Sequence, residues 1–176
     1  MLEKIRSYLL MISFLVIAGG LMLYMYVLAK GDSGILGGKE GTLQPTDFAS
    51  LSYSVGDTGY LMCSTPLCSV ADPDANEELF NLDAGRLRQL VADYADSLPT
   101  VTVHSFDFRL SQFDFIERMP GKTFPTVISV RIIRDTDYSS KLAFYSYKPV
   151  GSSTANDHQQ NAARWITDLH ARADDQ

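Results

Sequence analysis

The apolar positions change their period along the chain. Tyr8–Ala29 (YLLMISFLVIAGGLMLYMYVLA) is apolar on every side, 22 residues without a charge. As a helix it would be about 33 Å long, which matches a hydrocarbon core of roughly 30 Å. Water-free lipid leaves backbone groups no other partners, so a single span of this kind must be helical. Between Asp83 and Leu98 the pattern is helical but one-sided: Leu87, Leu90, Val91, Tyr94 and Leu98 form a stripe, with Asp83 as N-cap and Pro99 as stop. Alternation follows. Val101 and Val103 share a face opposite Thr102 and His104; Arg109–Arg118 carries Leu110, Phe113, Phe115 and Ile116, with an irregularity near Gln112. Thr126–Arg134 is densely β-branched, and Lys141–Lys148 alternates Leu142 and Phe144 against Ala143, Tyr145 and Tyr147. Helical spacing returns over Asn156–Ala173, where Ala162, Trp165, Ile166 and Leu169 form the apolar stripe.

These elements predict an α+β protein in three parts. Residues 1–30 hold one N-terminal transmembrane helix, and residues 31–59, with seven glycines and no sustained period, read as a linker or extended arm. Residues 60–176 form an extracytoplasmic two-layer domain, a four-stranded antiparallel sheet covered by two helices. Inside the apolar run, Ser13, Gly19 and Gly20 are small residues that would let a second helix approach, a candidate packing face.

Charge adds an orientation. Lys4 and Arg6 precede the run against Glu3, and only Lys30 follows closely, so the N-terminus is expected in the cytoplasm and the domain outside it. A cleaved secretory signal is the rival reading, with Val27 and Ala29 as small residues at its end; the run is longer than the 7–15 residues typical of such signals. The net charge is −6, and residues 1–30 contribute +2, which leaves −8 on residues 31–176. A domain so acidic is a poor ligand for nucleic acid or an anionic lipid surface.

Cys63 and Cys68 would lie outside the cytoplasm, where a disulfide is the default. Zinc would need two further ligands, and His104, His158 and His170 have no ligand spacing to the pair. A redox pair would more naturally read C-x-x-C. No metal and no cofactor is therefore expected; in particular, no glycine-rich loop links a strand to a helix.

The segment Cys63-Ser64-Thr65-Pro66-Leu67-Cys68-Ser69-Val70, together with Val150-Gly151-Ser152-Ser153, Asn161 and Arg164, resembles the bacterial family called domain of unknown function 1499, over roughly residues 60–172. The resemblance implies a bacterial envelope protein with no established activity, and marks Gly151, Asn161 and Arg164 as family-like positions. The expected address is the bacterial inner membrane, with the domain in the periplasm.

For catalysis, the only local cluster of suitable types is Asp157-His158 beside Ser152 and Ser153. It lacks nucleophile-elbow spacing, and Asp157 and Ser153 serve equally as helix caps. The acidic run Asp72, Asp74, Glu77, Glu78 lacks a calcium-loop pattern and reads as a solvated loop. Aromatic residues are more informative: Phe106, Phe108, Phe144, Tyr145 and Tyr147 form a candidate interaction face on a sheet expected to be covered on one side only. The expected function is a non-catalytic interaction module, an accessory subunit of a larger membrane protein complex. The alternative is a tethered periplasmic protein that binds a lipid or small ligand, with a hydrolase as a weak third.

Overall fold

The computed structural model describes Ser13, Leu15, residues 17–22 and residues 43–174. It divides into two units, residues 1–44 and residues 45–176. In the first, Ser13, Leu15 and residues 17–22 are helical and exposed, and adding a Cβ at Gly19 or Gly20 would meet nothing. The rest of Tyr8–Ala29 lies outside the described residues. Among those described, no helix is long and apolar enough to cross a membrane. The membrane-spanning helix expected from the sequence is therefore not part of the observed architecture.

The second unit runs β1 (Gly59–Met62), β2 (Glu78–Phe80), α1 (Ala84–Ser97), β3 (Val101–Asp107), β4 (Gln112–Glu117), β5 (Thr126–Arg134), β6 (Ser140–Tyr147) and α2 (Ala155–Asp174). It is α+β, but its antiparallel sheet has six strands rather than the expected four. The spatial order is β1-β6-β5-β4-β3, and β2 also pairs with β6. The two added strands lie end to end on one edge of β6. Met62 of β1 pairs with Phe144, and Glu78 of β2 pairs with Leu142. The physical reason is hydrogen-bond accounting. β5 occupies one edge of β6, and the buried N–H and C=O groups on the other edge need partners that a four-stranded sheet lacks.

Pairing register sorts the side chains between the faces. Phe113, Val130, Phe144 and Met62 are aligned across β4, β5, β6 and β1. They join Leu87, Leu90, Val91 and Tyr94 of α1 and Ala162, Trp165 and Leu169 of α2 in the main core. Trp165 stands at its centre, edge-on to Tyr94 at 4.9 Å and tilted against Phe115 at 5.3 Å. Asp83 caps α1, accepting from the backbone N–H groups of Gly85 and Arg86 at 2.9 and 3.1 Å. The sheet irregularity falls in β3, between Val103 and Ser105, not near Gln112 in β4.

The opposite face is also covered, so the two-layer expectation needs correcting. Phe48, Tyr53, Leu61, Cys63, Cys68 and Ala143 form a second core, with Leu51, Leu67 and Tyr145 packed against it. Residues 45–58 hold this face through a polar seam. Thr46 N–H donates to Asp114 at 3.4 Å, the Thr46 hydroxyl lies 2.5 Å from that of Ser129, and Gln112 Nε2 donates to the Thr46 carbonyl at 2.6 Å. The Cys63–Cys68 disulfide closes the loop between β1 and β2, with its Cα atoms 6.2 Å apart. Two carboxylates of the acidic run fasten that loop instead of being solvated. Asp74 accepts from the Tyr53 hydroxyl at 2.5 Å and Leu61 N–H at 2.9 Å; Glu77 accepts from Ser64 N–H at 2.9 Å and its hydroxyl at 2.5 Å. Exchange of water for these protein donors keeps the buried backbone of the loop satisfied.

Candidate functional site

Two features stand apart from simple packing: a polar cavity where α2 begins, and an apolar surface on the outer strand. The cavity is built at the end of the sheet where β4 and β6 finish. Glu117, the last residue of β4, continues the core-facing series Phe113 and Phe115 and is fully buried, 0% exposed. Its carboxylate accepts from Asn161 Nδ2 at 2.7 Å and Arg164 Nη2 at 2.6 Å, and Arg164 Nη2 also donates to Asn161 Oδ1 at 3.2 Å. Spacing of three residues on α2 places both donors on one helix face above the strand end. A buried carboxylate without such partners would be strongly destabilising.

Beside this triad, Thr154 caps α2. Its hydroxyl and N–H donate to Asp157 Oδ2 at 2.8 and 2.9 Å, and Asp157 N–H returns a bond to the Thr154 hydroxyl at 3.2 Å. Those bonds hold the Asp157 carboxyl below its ordinary range. The cap is therefore Thr154, and Ser153, expected to share that role, faces His158 instead. His158 is 2% exposed, with Nε2 2.8 Å from the Ser153 hydroxyl and Nδ1 2.8 Å from the Ser146 hydroxyl. Burial pushes the ring's pKa down, and nearby Lys148 reinforces this against the opposing pull of Asp157.

Both ring nitrogens are thus engaged by hydroxyls, Nδ1 by the fully buried Ser146 and Nε2 by Ser153.

Ser153, Asp157, His158, Asn161 and Arg164 line a cavity of about 430 Å³, with Met119, Pro120, Lys122 and Phe124 from the β4–β5 connection and Lys148 just after β6. Gly151 shapes one wall: it has φ of +90°, and a Cβ there would lie 2.7 Å from Phe124 Cδ2. Of the three family-like positions, Asn161 and Arg164 line the cavity and Gly151 packs against its Phe124. The sequence reading missed Glu117, Lys122 and Lys148. Only Glu117 carried a signal, as an acidic residue in phase with two core phenylalanines.

The candidate aromatic face is divided by the pleat. Phe144 lies in the main core, fully buried, while Tyr145 and Tyr147 stack at 4.9 Å on the opposite face. Burial, above all, pushes the Tyr145 hydroxyl up to about 12, so it stays protonated. Phe106 and Phe108 lie on the β3 side of the sheet, 43% and 69% exposed, close to the exposed Leu110 and Val103. Phe106 stacks on Phe113 at 4.3 Å and meets Phe108 edge-on at 6.2 Å, and the Arg88 guanidinium stands 5.0 Å from the Phe108 ring centre. Of the other histidines, His170 stacks on Phe80 at 4.2 Å and bonds Glu78 at 2.9 Å, and His104 falls at the β3 irregularity. Among the described residues no group of three or more His, Cys, Asp or Glu could hold a metal ion. No protein-family model matches the chain, and no curated protein matches it.

Proposed function

We propose that residues 45–174 form a non-catalytic interaction domain, a periplasmic accessory subunit of a larger membrane protein complex. The observation that carries this reading is the exposed apolar surface of Val103 and Phe106 on the edge strand β3 and of Phe108 and Leu110 in the turn that follows it. Its rings are held in place by Phe113 and Arg88, so little side-chain freedom would be lost on docking. Apolar patches of this sort mark partner surfaces, and pre-set aromatic residues dominate binding energy when a partner covers them. The buried disulfide favours a compartment outside the reducing cytosol.

Gentle extraction of the full-length protein, followed by native mass analysis, tests the reading. Co-migration with a larger complex, lost in the Phe106→Ser/Phe108→Ser variant, supports it. A lone monomer, or a complex indifferent to that variant, refutes it. A second reading, a binder of a small envelope ligand, is favoured by the 430 Å³ cavity at the start of α2.

A further inference from the structure

The cavity beside α2 has a chemistry of its own. Of the carboxylates beside it, Glu117 is paired with Asn161 and Arg164, and Asp157 accepts from Thr154 and keeps its charge. Lys122 and Lys148, which reach it from different connections, form no ion pair among the described residues. Both nevertheless lie close enough to bias the site electrostatically, Lys122 acting on Asp157 and Lys148 on His158. The Ser153 hydroxyl, 2.8 Å from His158 Nε2, also lines the cavity and can donate to an acceptor there. Met119, Pro120 and Phe124 give the same cavity an apolar lining. Lys122, Lys148 and Arg164 outnumber Asp157 and Glu117 by one charge around this concave site, a local excess that stands out in a chain of net charge −6.

We infer that this cavity binds a small organic anion, its carboxylate or phosphate held by Lys122, Lys148 and Ser153 and its apolar part laid against Phe124. The inference rests on the second, ligand-binding reading above. It shares no residue with the aromatic surface, so Phe106→Ser/Phe108→Ser leaves it intact and the two proposals fail separately. A volume of about 430 Å³ lies at the small end of ligand pockets, which suits one ring or a short chain rather than a full lipid tail.

Titration calorimetry of the full-length protein with phenyl phosphate and with benzoate tests this, and the arm that binds identifies the head group. The expected result is saturable binding of one of them, weakened about tenfold or more in Lys122→Gln/Lys148→Gln and several-fold in Phe124→Ala. Lys122→Gln alone, on the exposed turn, should give a partial loss without disturbing the fold. No saturable binding of either compound at millimolar concentration overturns the inference, as does binding indifferent to both lysines. Inorganic phosphate or acetate binding as tightly as its ring-bearing counterpart also overturns it, since the apolar wall would then contribute nothing.

Discussion

Removal of Arg164 should destabilise the domain more than removal of the carboxylate it serves. Glu117 is fully buried, while the Arg164 side chain is 35% exposed and can recover hydration. Arg164→Met leaves the carboxylate with Asn161 as its remaining donor, 2.7 Å away. Breaking a buried pair in this way costs about 3–5 kcal/mol. Partial exposure of the arginine lets some water approach, which places the expected loss near the lower end, about 3 kcal/mol. Glu117→Gln removes the charge but keeps a polar group beside both donors, and should cost only about 1–2 kcal/mol. Glu117→Leu/Arg164→Met removes both charges, so it should be clearly less destabilised than the sum of its single variants. Urea unfolding followed by fluorescence of Trp165, the single tryptophan, measures all of these at the neighbouring helix position. A loss below about 1 kcal/mol for Arg164→Met, or strict additivity in the cycle, would refute the claim that the pair neutralises a buried charge.

Other expectations follow from the same geometry. The folded-state pKa of His158 is depressed by burial, so the unfolded chain takes up a proton that the folded one refuses; stability should fall as pH drops through about 6.5. His158→Gln should flatten that part of the profile, and an unchanged slope between about pH 7.5 and 5.5 would count against a neutral buried ring. Replacing Cys63 and Cys68 by Ala should cost about 2 kcal/mol in urea unfolding, because the closed loop is short. Gly151→Ala, placed at φ +90° and against Phe124, should cost roughly 1–2 kcal/mol and reduce phenyl phosphate or benzoate binding; wild-type behaviour would mean that Phe124 moves freely. In the docking test, Phe106→Ser/Phe108→Ser should leave the urea midpoint nearly unchanged, since both rings are substantially exposed.

Much of the helix-side layer was legible because it depends on local period. β5 occupies Thr126–Arg134, the β-branched run itself, and α1 begins one residue after Asp83, whose carboxylate provides the cap. β1 and β2, at four and three residues, are too short to show a period. They exist because the free edge of β6 demands partners, a requirement that appears only once β5 and β6 have paired. Residues 45–58 show no period for a related reason. They hold the second face through single anchors, Phe48, Tyr53 and Thr46, rather than through a repeated stripe.

The candidate site divides along the same line. Serine, histidine and aspartate were visible together near residue 157 from spacing alone, because they lie on one loop and one helix turn. Their roles depended on partners distant in sequence. Ser146 of β6 occupies Nδ1 of His158, the position a carboxylate takes in a catalytic triad. Glu117 draws Asn161 and Arg164 inward across 44 and 47 residues, which leaves Asp157 as the carboxylate facing Lys122 and Lys148 at the cavity. By itself, then, the sequence determined the elements whose apolar spacing repeats, the α+β class and the cysteine pair. Tertiary structure alone decided the six-stranded sheet, the covered second face and the chemistry of the cavity, because edge pairing and burial of charge depend on neighbours that no local window contains.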